Sequence, residues 1–141
     1  PALTTPSSTG PVSTIDIIVS RLADTYLIAA EAYLKAGNPG VGLARLNTVR
    51  TRAGVPSATS AEFNINYILD ERGREMLGEY NRWFDLKRTG TLVTRAVQYN
   101  YKITNASQFN GNGGNQKILR PIPQTVLDLN QNKNFPQNPA Y

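Results

Sequence analysis

Carboxylates are the residues of this chain best placed to do chemistry, because two other common catalytic side chains are missing. The sequence has no His and no Cys. That removes the common general base, the common zinc ligand, the thiol nucleophile, the disulfide and a lipid-carrying Cys within the chain. Asp70, Glu71, Glu75, Glu79 and Asp85 fall in one stretch with five basic residues and the only Trp and Met. Glycoside hydrolysis needs two carboxyls about 5–9.5 Å apart, and residues four apart on a helix lie roughly 6 Å apart. Yet an Arg lies near each of these acids, and a guanidinium holds a carboxylate ionised instead of raising the pKa of a general acid. The spacing points to structural ion pairs: Asp70–Arg74, Glu71–Arg74 and Glu79–Arg82. No catalytic residue, metal or cofactor is assigned, and an enzyme is not expected.

Binding chemistry is more promising than catalysis. Residues 98–116 carry Tyr99, Tyr101, Phe109, five Asn, three Gly and a single charge. A Tyr offers an apolar face with a polar tip, and Asn amides both donate and accept, which suits hydroxyl-rich ligands. Tyr99, Tyr101, Phe109 and Asn110 are therefore the candidate ligand contacts. Asn110 to Asn115 alternates with Gly but lacks the Lys-Ser/Thr and following helix of a phosphate loop, so it reads as a flexible turn. Trp83 could stack a sugar ring, but beside Phe84 and Leu86 it reads as a core residue.

These residues need elements to position them. Residues 1–14 are uncharged and rich in Pro, Ser, Thr and Gly, a flexible extended lead-in. Ile15, Ile17, Ile18 and Val19 follow as a short apolar run. Residues 21–37 predict a helix with Leu22, Tyr26, Ala29, Ala30, Tyr33 and Leu34 on its inner face, five alanines for propensity, and Glu31–Lys35 at i, i+4. Gly37, Asn38 and Pro39 read as C-terminal glycine, N-cap and first helical residue. A second helix over 39–53 turns Leu43, Leu46 and Val49 inward and is slightly weakened by Gly42. So tight a connection makes an antiparallel hairpin of tetratricopeptide type, in one copy. Thr59 and Glu62 match a capping box, from which a third helix runs to about residue 80, with Gly73 and Gly78 inside it permitting close backbone approach. A bent helical turn over 82–88 closes at Gly90. Leu92, Val93, Ala96 and Val97 predict a further short helix, and residues 98–117 a long irregular loop. Ile118 to Pro123 is extended, residues 124–130 form a short helix, and the aromatic C-terminal segment is tied to the body.

The whole reads as a mainly α chain with one tetratricopeptide-like hairpin, further helices and long irregular loops, in a single domain over residues 1–141. At 141 residues it can hold one core. It has no run of about 18 apolar residues for a membrane helix. The first residues lack an initiating Met and the pattern of a signal peptide, so the chain reads as a mature fragment or excised domain. The net charge of +5 invites a nucleic-acid reading. The charges are interspersed, without the stripe such binding needs. Arg45, Arg50 and Arg52 read as solvated cations near a helix C-terminus.

Several blocks together resemble the RagB/SusD family of outer-membrane nutrient-binding lipoproteins of Bacteroidota. They are residues 21–32; Leu46, Asn47, Arg50, Arg52, Ala53 and Gly54; residues 68–90 with Arg72, Glu75, Glu79, Arg82, Trp83 and Asp85; Leu119, Pro121, Ile122 and Pro123; and Gln137, Asn138, Pro139 and Tyr141. The RxRE pattern is kept, with Gly73 where a larger residue is common. The resemblance implies a helical fold in which Arg72, Glu75, Glu79, Arg82, Trp83 and Asp85 form a structural motif. It also implies non-catalytic binding of an oligosaccharide or other nutrient at the cell-surface face of the outer membrane. The partner would be a SusC-like TonB-dependent transporter, and the membrane attachment a lipid anchor outside this chain. Family members are several times longer, and the chain resembles their C-terminal portion. A second possibility is a helical interaction scaffold that docks on the transporter without binding ligand itself.

Overall fold

A computed structural model describes residues 4–7, 10–13, 19–79, 81–132 and 134–141. They fall into two compact units, Pro1–Tyr80 and Asn81–Tyr141. The architecture is mainly helical, as the periodicity predicts. In the first unit the lead-in contains two short strands, β1 (Thr4–Ser7) and β2 (Gly10–Ser13), paired antiparallel with Thr5 opposite Val12. Of the apolar run that follows, Ile15, Ile17 and Ile18 lie outside the described residues, and Val19 is exposed.

Helices α1 (Leu22–Lys35) and α2 (Pro39–Arg52) form the expected hairpin. The turn between them is built as the sequence predicts. Gly37 has φ +77°, the Asn38 amide donates to the Tyr33 carbonyl and the Gly37 amide to that of Leu34, a Schellman end that only a residue tolerant of positive φ accepts easily. The same arrangement closes α2 at Gly54.

The buried face of α1 differs from the predicted one. Ala23, Leu27, Ala30 and Glu31 are buried, Tyr26 and Leu34 pack partly against the core, and Leu22 and Tyr33 are exposed. The reason lies on α2. A Cβ at Gly42 would stand 2.7 Å from the Ala30 carbonyl oxygen and 2.9 Å from Cζ of Phe63. Such close approach selects the face of α1 with small residues and rotates the larger Leu22 and Tyr33 outward. Gly42 is thus the close-contact glycine of the hairpin, whereas Gly78, expected to permit close approach, has nothing within 4 Å of an added Cβ.

The third helix, α3, covers Ile65–Glu75, shorter than predicted at both ends. Glu62 does reach back to Thr59, accepting from its amide at 2.8 Å and its hydroxyl at 2.7 Å. The helix does not start there, because Phe63 dips into the core first and Asn64 is extended. Asn64 Oδ1 then caps α3, accepting from the amides of Asn66 at 2.9 Å and Tyr67 at 3.1 Å. At the other end Met76 is buried and Gly78 takes φ +85° outside the helix. Leu77 is exposed because the helical period has already ended. The core cluster draws on Leu27, Ala30, Leu46, Val49, Phe63 and Ile68, from all three helices and the α2–α3 loop.

The second unit contains α4 (Arg82–Arg88), α5 (Leu92–Tyr99) and α6 (Gln124–Leu129). Residues 82–88 are a separate helix, closed at Gly90 as predicted. The expectation of a core Trp is corrected here. Trp83 is only half-buried, with the Arg120 guanidinium 5.5 Å from its ring centroid, and Phe84 is 68% exposed. The buried members of α4 are Asp85 and Leu86. The C-terminal segment is tied down as expected. The Gln137 side chain accepts from the Ile122 amide at 2.7 Å and donates to its carbonyl at 2.9 Å, and Asn138 donates to the Arg120 carbonyl at 2.8 Å.

Candidate ligand site

The geometry of the acidic stretch decides whether it is a site at all. Glu71, 3% exposed, accepts through Oε2 from Arg50 on α2 and from Arg74 one turn ahead, both at 2.6 Å. Glu75 Oε1 accepts from Arg21 at 2.5 Å and from Arg52. Arg21 also reaches Glu79 at 2.8 Å, and the two carboxylates hold its guanidinium above its ordinary pKa, Glu75 most. Arg72, buried on α3, donates to Asp24 of α1 at 2.7 Å. These groups face each other across helices, and each carboxylate oxygen named is already occupied by a guanidinium. Arg50 and Arg52, read from the sequence as solvated cations, are cross-braces. Arg50 Nε additionally donates to the Pro56 carbonyl at 2.8 Å.

A hollow of about 540 Å³ lies over this network, lined by Arg50, Val55, Tyr67, Glu71, Arg74 and Glu75. Both Arg50 and Arg74 stand over the Tyr67 ring, at 5.4 and 5.9 Å from its centroid. Its polar groups are bonded to one another and its ring is already covered, so little is left to recognise a ligand.

The second unit offers a different environment. A cavity of about 360 Å³ is walled by Lys87 of α4, Leu92, Val93 and Thr94 of α5, Gln116 near the end of the loop and Ile118 just beyond it. That size lies within the range of small-molecule pockets, and apolar walls with a few polar groups suit one. Residues 98–117 are more ordered than the lack of period suggests. Helix α5 extends through Gln98 and Tyr99, and short 3-10 turns occupy Ala106–Phe109 and Asn112–Gly114. The first turn packs on α5 and is fastened by Gln108, whose side-chain oxygen accepts from the Thr104 amide at 2.6 Å. An antiparallel bridge joins Asn110 to Gln116, and the Lys117 amide donates to the Phe109 carbonyl at 2.7 Å.

Of the four predicted contacts, Tyr99 ends α5 and is 61% exposed, and Tyr101, just beyond, is 87% exposed. Arg95 lies 5.5 Å from the Tyr99 centroid and Lys102 5.6 Å from that of Tyr101. Phe109 is half-buried in the 3-10 turn, and Asn110 is exposed at the bridge. None of the four lines the cavity. Its polar lining is Lys87, Thr94 and Gln116, which sequence reading does not single out, because they come from three elements and share no period.

The chain matches the sequence profile of the SusD family over residues 3–141. It belongs to that family. It is 34% identical over 131 residues to the starch-binding protein SusD of Bacteroides thetaiotaomicron, covering 89% of this chain and 22% of that protein. It is 34% identical over 122 residues to SusD-like protein P25 of Formosa agariphila, covering 80% of this chain and 22% of that one. SusD-like protein P2 of the same organism is 31% identical over 152 residues, covering 94% and 27%. The chain therefore spans about a quarter or less of the length of these relatives. No solved structure matches it. Among the described residues no helix is long and apolar enough to cross a membrane.

Proposed function

We propose that this chain is part of a non-catalytic binding protein that captures an oligosaccharide or other nutrient at the outer-membrane surface. The captured ligand passes to a SusC-like TonB-dependent transporter, and the protein is held at the cell-surface face by a lipid anchor outside this chain. One of its relatives is named a starch-binding protein. The observation that carries the reading is the pair of exposed rings, Tyr99 and Tyr101, in the unit that also holds the cavity of α4 and α5. Exposed aromatic faces are costly to leave in water and suit the apolar faces of sugar rings. Phe109 and Asn110 complete the proposed contact set. The motif residues Arg72, Glu75, Glu79, Arg82, Trp83 and Asp85 have a structural role in this reading, which the braces of Arg72, Glu75 and Glu79 support.

The test is calorimetry on the intact protein with a panel of oligosaccharides. Tyr99→Ala and Tyr101→Ala should each weaken binding by about 2- to 10-fold, the effect of losing roughly 0.5–1.5 kcal/mol of ring contact. Unchanged affinity in both variants would remove them from the site.

A further inference from the structure

The two units handle charge differently. Residues 1–80 hold seven Lys or Arg and eight Asp or Glu, and residues 81–141 hold eight Lys or Arg and two Asp or Glu. The net charge of the chain therefore resides in the second unit, at a formal +6 against −1 in the first. In the first unit most cations are neutralised by carboxylates, Arg21 and Arg52 by Glu75, Arg50 and Arg74 by Glu71. In the second unit Arg88 reaches Asp85 at 3.4 Å, and several of the other cations face rings. Lys102 lies over Tyr101, Lys117 over Tyr141 at 5.8 Å, and Arg120 over Trp83. Of the two carboxylates there, Asp85 is buried and Asp128 accepts from Gln124 at 2.8 Å. Among the described residues Lys87, Lys102 and Lys117 make no salt bridge.

We infer that the ligand held by this unit is an anionic oligosaccharide, one carrying carboxylate or sulfate groups. The inference rests on the glycan-binding reading above and names its ligand class. Lys87 supplies a cation in the cavity wall, and Lys102 and Lys117 supply cations on the loop that also carries Tyr101 and the Asn amides. A ring contact orients an ammonium without neutralising it, so its N–H donors stay available to an acid group. The interspersed amides meet hydroxyls, and the tyrosine faces meet sugar rings. The cations come from α4, from beyond α5 and from beyond the Asn110–Gln116 bridge.

The experiment is calorimetry on the intact protein with four probes of matched length: a neutral malto-oligosaccharide, an oligogalacturonate, a sulfated galactan oligosaccharide and a single-stranded oligonucleotide. Each is titrated at low and at moderate salt. At least one acidic saccharide should bind about tenfold or more tightly than the neutral one, and added salt should remove most of that preference. A Lys102→Gln, Lys117→Gln double variant should lose about fivefold in affinity for the acidic probe and keep its affinity for any neutral one. Both positions are exposed on the surface, and circular dichroism of the variant verifies its fold. Equal binding of neutral and acidic saccharides, or a preference indifferent to salt and to the lysines, overturns the charge inference alone. Tighter binding of the oligonucleotide than of any saccharide also overturns it. If no saccharide binds, the glycan-binding reading fails and takes this inference with it.

Discussion

Gly42 and Glu62 show how much a single side chain, or its absence, decides. By helix propensity alone Gly42→Ala should gain about 1 kcal/mol. Here the new methyl would meet the Ala30 carbonyl at 2.7 Å and the Phe63 ring at 2.9 Å. One contact is backbone and the other a buried ring, so neither yields cheaply. Overpacking of this kind costs about 1–3 kcal/mol, and urea unfolding should show the variant to be less stable than the parent. Glu62 acts through charge. The Thr59 hydroxyl and amide donate to its carboxylate and hold it below the usual carboxylate range. A carboxyl with a depressed folded pKa contributes stability above its unfolded pKa, about 4.3, and loses it as pH falls through the lower folded value. Glu62→Gln should therefore flatten the decline of the thermal midpoint as pH falls below the unfolded carboxylate value. An acid limb as steep as the parent's would show that Glu62 does not contribute to it.

At the scale of elements, the α1–α2–α3 bundle is held by apolar packing and by a set of charges that cross between helices. The clearest is Arg72 to Asp24, at 2.7 Å with side-chain exposures of 3% and 14%. Removing Arg72 leaves the partly buried Asp24 without this counter-charge, at a cost of up to about 3 kcal/mol. Arg72→Met should lower the urea midpoint sharply, Asp24→Asn less so. The double variant should recover part of the loss, because the two effects share one interaction. Strict additivity would mean that the two side chains stabilise the bundle independently. The loop from α2 to α3 is fastened in another way. The Asn47 side chain accepts from the Ala58 amide at 2.8 Å and donates to the Ala58 carbonyl at 3.0 Å. This clamp, with the Arg50–Pro56 bond, gives a physical role to residues that in the sequence stand out only as parts of a family-like block.

At the scale of the whole chain, the division of charge between the units separates two uses of arginine and lysine. In the first unit most of their partners are acids, several of them on neighbouring helices, which builds a scaffold. In the second, several are set against aromatic rings on loops and short helices. Such cations remain able to meet a ligand, and long-range steering of an acidic ligand would follow the same field.

What the sequence determined by itself is local. The helices, the glycine ends after α1 and α2 and the ion-pairing character of residues 70–85 were all legible. Each depends on residues a turn or two apart, on a cap, or on the plain shortage of charge and period. Family membership was legible too, because several spaced blocks coincide. Tertiary structure decided the rest. It chose Ala23 and Ala30 over Leu22 and Tyr33 as the inner face of α1, since the backbone of α2 at Gly42 comes too close for larger side chains. It paired Arg21 with Glu75 and Arg72 with Asp24, partners 54 and 48 residues apart that no local spacing can link. It left Phe84 in water and gathered Lys87, Thr94 and Gln116 around one cavity. Contacts of that kind exist only once separate elements have packed, so no window along the chain contains them.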